Sequence, residues 1–343
     1  MQLDTGTRSY GFVYAVAFHP DGKHVLSGTM DELQRWRLAD GREVRKEREM
    51  RVFSISVSRD DKWIVCGTAK GASVWDGEMR KEVIHVEGEI GVDAIDVCPD
   101  STRFATGNDE NTVSVWSMVT GERLVGPLKH DAYVDVNGIR FSPDGEHIAT
   151  TCDTSIRIFD SHNGDELVTI HTHLPRWGAI TPVAWSSDGQ QSFAASRDNK
   201  IKAFDTSTGT QLTESQILHG ENDNVHSIAL AADGKFIVTF AGRSIWCLDT
   251  STLARIGPVI EDVELIRSIA ISLDSTRLAT GRHDGRITIH DLSKILPNVH
   301  GPFNVSITPC ILSPVPSPTV TTCVGIYSRT SSTRPPAFDI RGW

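Results

Sequence analysis

Tyr14, Phe53, Asp93, Asn137, Thr181, His226 and Arg267 occupy one recurring slot of a sequence repeat, and no two of them are alike. The columns around that slot hardly vary. A chemically variable position set in a constant framework is where a repeat scaffold places recognition residues. Two aromatics, an arginine, a histidine and three smaller polar side chains suit contact with a protein or peptide, because aromatic residues and Arg dominate hot spots. The turn positions Met30, Asn108, Cys152, Arg197 and His283 are expected to share the same face. Asp93 with His226 is the only pairing in the slot with acid–base potential. It has neither a nucleophile nor a ligand set beside it, so the slot reads as a binding surface and not as a catalytic centre.

Other chemistry finds little support. The chain has no Gly-rich phosphate loop, no HExxH, no GxSxG and no zinc-type spacing. Cys66, Cys98, Cys152, Cys247, Cys310 and Cys323 lie far apart without a CxxC pair, and read as reduced structural thiols of an intracellular protein that holds no metal. No cofactor and no small-molecule substrate is implied. With 34 Lys+Arg against 44 Asp+Glu, a net charge of −10 argues against general nucleic-acid binding, which needs cations to neutralise phosphates. The one basic stretch, Arg35–Arg51, interleaves seven basic with four acidic residues and reads as a solvated outer strand and loop. No window approaches the roughly 18 apolar residues of a spanning helix. Met1–Phe12 lacks the basic and apolar regions of a secretion signal. The expected compartment is the cytoplasm or nucleus.

The elements that must carry the slot are legible as a repeat. Asp21, Asp60, Asp100, Asp144, Asp188, Asp233 and Asp274 recur at a mean spacing of about 42 residues, the length of one blade repeat. Three residues before each stands an apolar residue: Phe18, Val57, Val97, Phe141, Trp185, Leu230 and Ile271. Two further back is a β-branched column, Val16, Ile55, Ile95, Ile139, Val183, Ile228 and Ile269, and three before that another, Val13, Val52, Val92, Val136, Ile180, Val225 and Ile266. The position between them is small in every copy (Ala15, Ser54, Ala94, Gly138, Pro182, Ser227, Ser268), as strands converging on an axis require.

Around each Asp, sequences such as Pro143-Asp144-Gly145 supply hairpin-turn chemistry, so the aspartates read as turn formers. A second strand follows, then a third that ends in Trp36, Trp75, Trp116, Phe159, Phe204, Leu248 or His290, with His290 a packed aromatic substitute. A short fourth strand completes each unit. Four strands seven times over predict an all-β, seven-bladed propeller of antiparallel blades.

These residues resemble the WD40 (β-transducin) repeat family over about residues 10–293, as seven diverged repeats. Trp75-Asp76 is a literal WD dipeptide, with diluted forms at Phe159-Asp160, Phe204-Asp205 and Leu248-Asp249. The family's turn aspartate matches Asp31, Asp109, Asp153, Asp198 and Asp284, and its loop histidine fits His130, His219 and His173. The resemblance implies a hydrogen-bonded His–Ser/Thr–Asp–Trp tetrad in each blade. No blade here keeps all four, which suggests blades held mainly by apolar packing. It also implies a non-enzymatic scaffold for protein or peptide partners. The alternative is a sensor or substrate-receptor module of a larger signalling or ubiquitin-ligase assembly.

The propeller is assigned to residues 1–296. Its closing strand is drawn from 1–6, from 299–307 or from both, with a lean to 299–307 because the N-terminal segment is short and Phe303, Val305 and Ile307 alternate. Eight of the 15 prolines fall in 297–343, so residues 308–343 read as a Pro/Ser/Thr-rich disordered tail with docking or phosphorylation potential at Thr308, Ser313 and Ser317.

Overall fold

The computed structural model describes residues 1–4, 11–130, 136–152, 155–172, 183–218 and 225–296. Blade three gives the plan: Val92–Val97, Arg103–Asn108, Thr112–Ser117 and Arg123–Lys129 pair antiparallel in sequence order. Blades one, two, four, five and six repeat it over 15–48, 52–86, 138–171, 183–214 and 227–261. Each inner strand lies against the inner strand of the next blade, and Ile266–Ile271 of blade seven lies against Ala15–Phe18 of blade one, so the ring closes. The seven-bladed propeller read from the repeat is the fold observed.

The turn aspartates act locally, as their period predicts. Asp21 Oδ1 accepts the Lys23 amide at 2.7 Å, Asp100 that of Thr102 at 2.9 Å, and Asp274 that of Thr276 at 3.0 Å. Each aspartate thereby fixes the turn between first and second strands.

The core lies between blades. Val65 and Val74 of blade two pack with Ile95, Phe104 and Trp116 of blade three. The approach is close because the second strand carries glycine where the next inner strand begins. A Cβ on Gly67 would lie 2.3 Å from the Val92 carbonyl oxygen. Across the seam, a Cβ on Gly281 would lie 2.7 Å from Val13 Cγ1. In blades one, two, three and seven, whose second strands carry Gly28, Gly67, Gly107 and Gly281, the β-branched residue before or at the start of the next inner strand (Val52, Val92, Val136 and Val13) is the wedge that fills this notch.

Blade seven takes its outer strand from the N-terminal segment. Its fourth strand is Gln2–Asp4, paired with Arg286–Asp291 in the register Leu3↔Ile287. The other edge of Arg286–Asp291 is taken by Arg277–Arg282, and 299–307 lies outside the described residues. Three residues suffice because Leu3, only 2 % exposed, enters a cluster with Val13, Trp36 and Ile287. The tail 308–343 also lies outside the described residues.

Polar relays survive in a form that differs from the tetrad. The second-strand column opposite the inner β-branched residues is Ser27, Cys66, Thr106, Thr150, Ala194, Thr239 and Thr280. In blade four His130 Nε2 meets Thr150 Oγ1 at 2.8 Å, and its ring lies edge-on to Phe159 with centroids 6.0 Å apart. In blade three a carboxylate stands in for the histidine: Thr106 donates to Glu89 at 2.5 Å and accepts from Trp116 Nε1 at 2.9 Å. Blade seven does likewise, with Thr280 donating to Asp262 at 2.9 Å and His290 Nε2 lying 3.6 Å from the same carboxylate. Blade five has Ala194 against Phe204 and needs no relay. Apolar packing is thus supplemented by buried hydrogen bonds that the histidine pattern did not reveal. His173, His219 and Asp153 lie outside the described residues.

Candidate partner-binding face

All seven repeats have one topology, so the starts of the inner strands share one end of the ring. Phe53, Asp93 and Arg267 are the second residues of Val52–Val57, Val92–Val97 and Ile266–Ile271, while Tyr14, Asn137 and His226 immediately precede their inner strands. Each of these six is half-buried between fully buried neighbours. Thr181 lies outside the described residues. In blades two, three and seven the pairing of first and second strands shifts register at this position, between Val52 and Ser54, Val92 and Ala94, and Ile266 and Ser268, so the slot residue is the extra residue of a bulge between two buried neighbours.

Blades seven, one and two bring four of the sequence-read residues together. The Tyr14 and Phe53 rings meet edge-on with centroids 5.8 Å apart. The Arg267 guanidinium carbon lies over the Tyr14 ring at 5.1 Å from its centroid. Phe12, which the repeat pattern does not mark, links this group to the turn residue His283, at 6.0 Å from Tyr14 and 4.6 Å from His283. Burial, and then the charge of Arg267, push the His283 imidazole below its ordinary value, against a smaller opposing pull from Glu264. A neutral His283 adds a flat, weakly polar wall to the aromatic group. The other positions contribute elsewhere: His226 lies 6.0 Å from Phe240 of its own blade, and Met30 and Arg197 are half-buried at turns of blades one and five. Asn108 and Cys152 are buried and belong to the blades' interior.

A second concavity, of about 540 Å³, opens between blades four and five. His147 stacks on Trp185 there, with ring centroids 6.5 Å apart, and Asp144, Asp188 and Asp205 line the rim. Hydrogen bonds from Ser142, Ser186 and Ser207 respectively lead the causes that hold these carboxyls below their usual range. Carboxylates so fixed by their own turns do not hold a proton near neutral pH for general acid work.

The basic stretch Arg35–Arg51 is largely neutralised within blades one and two. Arg35 is buried, 3.3 Å from both Asp21 and Glu78, and donates to the Gly77 carbonyl at 2.9 Å. Lys46 reaches Glu32 at 2.8 Å and Glu43 at 3.1 Å. Among the described residues no group of three or more His, Cys, Asp and Glu is arranged to hold a metal, and no helix is long and apolar enough to cross a membrane.

Comparison with known proteins points to one family. The model of the WD domain, G-beta repeat (WD40), matches residues 3–32, 81–117, 123–160 and 261–291. Protein groucho of Drosophila melanogaster is 25 % identical over 249 residues, which is 70 % of this chain and 32 % of that protein. The eukaryotic translation initiation factor 3 subunit I of Candida glabrata is 27 % identical over 196 residues, 52 % of this chain and 55 % of the relative. A guanine nucleotide-binding protein subunit beta of Oryza sativa subsp. japonica is 30 % identical over 209 residues, 56 % of this chain and 54 % of the relative. The chain thus spans about half or less of the length of these relatives.

Proposed function

Because this chain is a WD40-repeat protein, built as seven blades with family matches at four places, we propose that it is a non-enzymatic scaffold. It binds protein or peptide partners on the propeller face where the inner strands begin. Tyr14, Phe53 and Arg267 carry the contact, with His283 beside them and Asp93, Asn137, Thr181, His226, Met30 and Arg197 extending the surface. The observation that carries this reading is the Arg267–Tyr14–Phe53 contact, which joins three blades into one aromatic and cationic patch. Such side chains bury large area at low entropic cost, which is why they dominate hot spots.

Two of the relatives are named as subunits, and the scaffold reading extends naturally to a receptor or adaptor module within a larger assembly. Buried free thiols at Cys66, Cys98, Cys152 and Cys247 support an intracellular setting. In the same reading, the Pro-rich sequence of residues 308–343 offers partners a second docking element.

The test is a partner isolated on the intact chain and titrated against variants. Tyr14→Ala or Arg267→Ala should weaken it by about 2 kcal/mol, about thirtyfold, with little change in melting temperature. The exposed residue Lys81, at the start of an outer strand, serves as the control. Equal effects of Lys81→Ala and Tyr14→Ala would overturn the assignment, and deletion of 308–343 separates the tail's share from that of the face.

A further inference from the structure

Arg267 holds a charge that no ion pair among the described residues answers. It is half-buried, and its Nε is shielded from solvent without a hydrogen bond. Its guanidinium lies over the face of Tyr14 and near His283, and it makes no ion pair with a carboxylate among the described residues. The contrast with three other partly or fully buried arginines is direct. Arg282 pairs with Asp262 and Asp284, Arg140 with Asp96, and Arg35 with Asp21 and Glu78. Glu264, the carboxylate whose field reaches neighbouring His283, is itself 3.6 Å from Arg243. A guanidinium lying on an aromatic face keeps its N–H donors in its own plane, aimed outward from the ring edge, where a fork can grip two oxygens.

The surroundings define what must accompany that anion. Tyr14, Phe53 and Phe12 supply aromatic surface within one contact of the guanidinium. The loop that leads into the same inner strand exposes Val263 at 73 % and Leu265 at 38 %. His283 is held toward its neutral form by burial and by Arg267, so it does not compete as a second cation.

We infer that this face takes a peptide segment in which an anionic group sits beside an apolar side chain: Arg267 grips the anion, and Tyr14, Phe53 and Leu265 cover the apolar neighbour. The inference rests on the binding face proposed above and specifies the chemistry of its occupant. The anion is a carboxylate of Asp or Glu or the phosphate of a modified side chain, which offer the same paired oxygens.

The experiment pans random dodecapeptides displayed on phage against the intact chain and against Arg267→Gln and Tyr14→Ala variants whose melting matches the wild type. The best peptide is then synthesised with Glu, phosphoserine or Gln at its acidic position and titrated by fluorescence polarisation. Expected is an acidic–apolar consensus on the wild type that disappears on Arg267→Gln. The Glu or phosphoserine peptide should bind at least about tenfold tighter than the Gln peptide, the worth of one charge-assisted hydrogen bond, and this advantage should vanish in Arg267→Gln. Whichever of the two wins identifies the source of the anion. Peptides that need Tyr14 but show no acidic preference would overturn the inference while leaving the binding face standing. Peptides indifferent to both variants, or no enrichment at all, would overturn both.

Discussion

Replacing Thr106 by Val tests the carboxylate relay of blade three. The Thr106 side chain is fully buried, and its hydroxyl serves two partners at once, donating to Glu89 at 2.5 Å and accepting from Trp116 Nε1 at 2.9 Å. Glu89 is 3 % exposed and Trp116 6 %, so water does not readily replace the lost hydroxyl for either. Valine keeps nearly the same volume, and the cavity term is small. What remains is one neutral donor and one carboxylate oxygen left unsatisfied, at about 1–3 kcal/mol each. Glu89 retains Arg123 at 3.5 Å, which places the total in the lower half of the resulting range of about 2–6 kcal/mol, at roughly 3 kcal/mol. Urea unfolding followed by tryptophan fluorescence reads this as a lower midpoint at unchanged slope. Thr106→Ser, which keeps the hydroxyl and loses one methyl, should cost only about 1 kcal/mol. In a Trp116→Phe background the cost of Thr106→Val should shrink, because one of the two orphans is gone. A Val variant as stable as the Ser variant would refute the relay and return blade three to apolar packing alone.

Blade two lacks the acceptor: Trp75 Nε1 is buried without a hydrogen bond, and Cys66 occupies the column that Ser27 fills beneath Trp36 in blade one, at 2.9 Å. Cys66→Ser should therefore be tolerated in the wild type yet cost about 1 kcal/mol more in a Trp75→Phe background, a coupling read by a double-mutant cycle of urea midpoints. Burial pushes the Asp262 carboxyl up, but hydrogen bonds from His290 and Thr280 and the charge of Arg282 bring it below the ordinary 3.8. The unfolded chain then takes up the proton first, so the stabilisation is complete above 3.8 and fades as pH falls through the lower folded value. Melting temperatures from about pH 6 to about pH 2.5 should fall less steeply for Asp262→Asn than for the wild type, and parallel curves would discard this linkage.

The fold was readable from sequence because its determinants are local and periodic. Asp100 bonds an amide two residues away, and the apolar columns at fixed distances from it set which face each strand buries. Both are properties of a short stretch of chain, so seven copies declare themselves without a structure. The variable slot was readable for the same reason, since it recurs at a fixed place beside the wedge residues Val13 and Ile266. The tertiary structure alone decided what depends on residues far apart in the chain. Leu3 closes the ring on Ile287, Gly281 receives Val13, and Glu89 and Asp262 take a histidine's part from loops with no motif. Above all, it decided which arginines are paired: Arg282 and Arg140 meet carboxylates, whereas the ring's closure sets Arg267 on Tyr14 with no ion-pair partner among the described residues. Charge compensation is a property of space between blades, where separations of about 4–6 Å decide the interaction and separation along the chain counts for nothing.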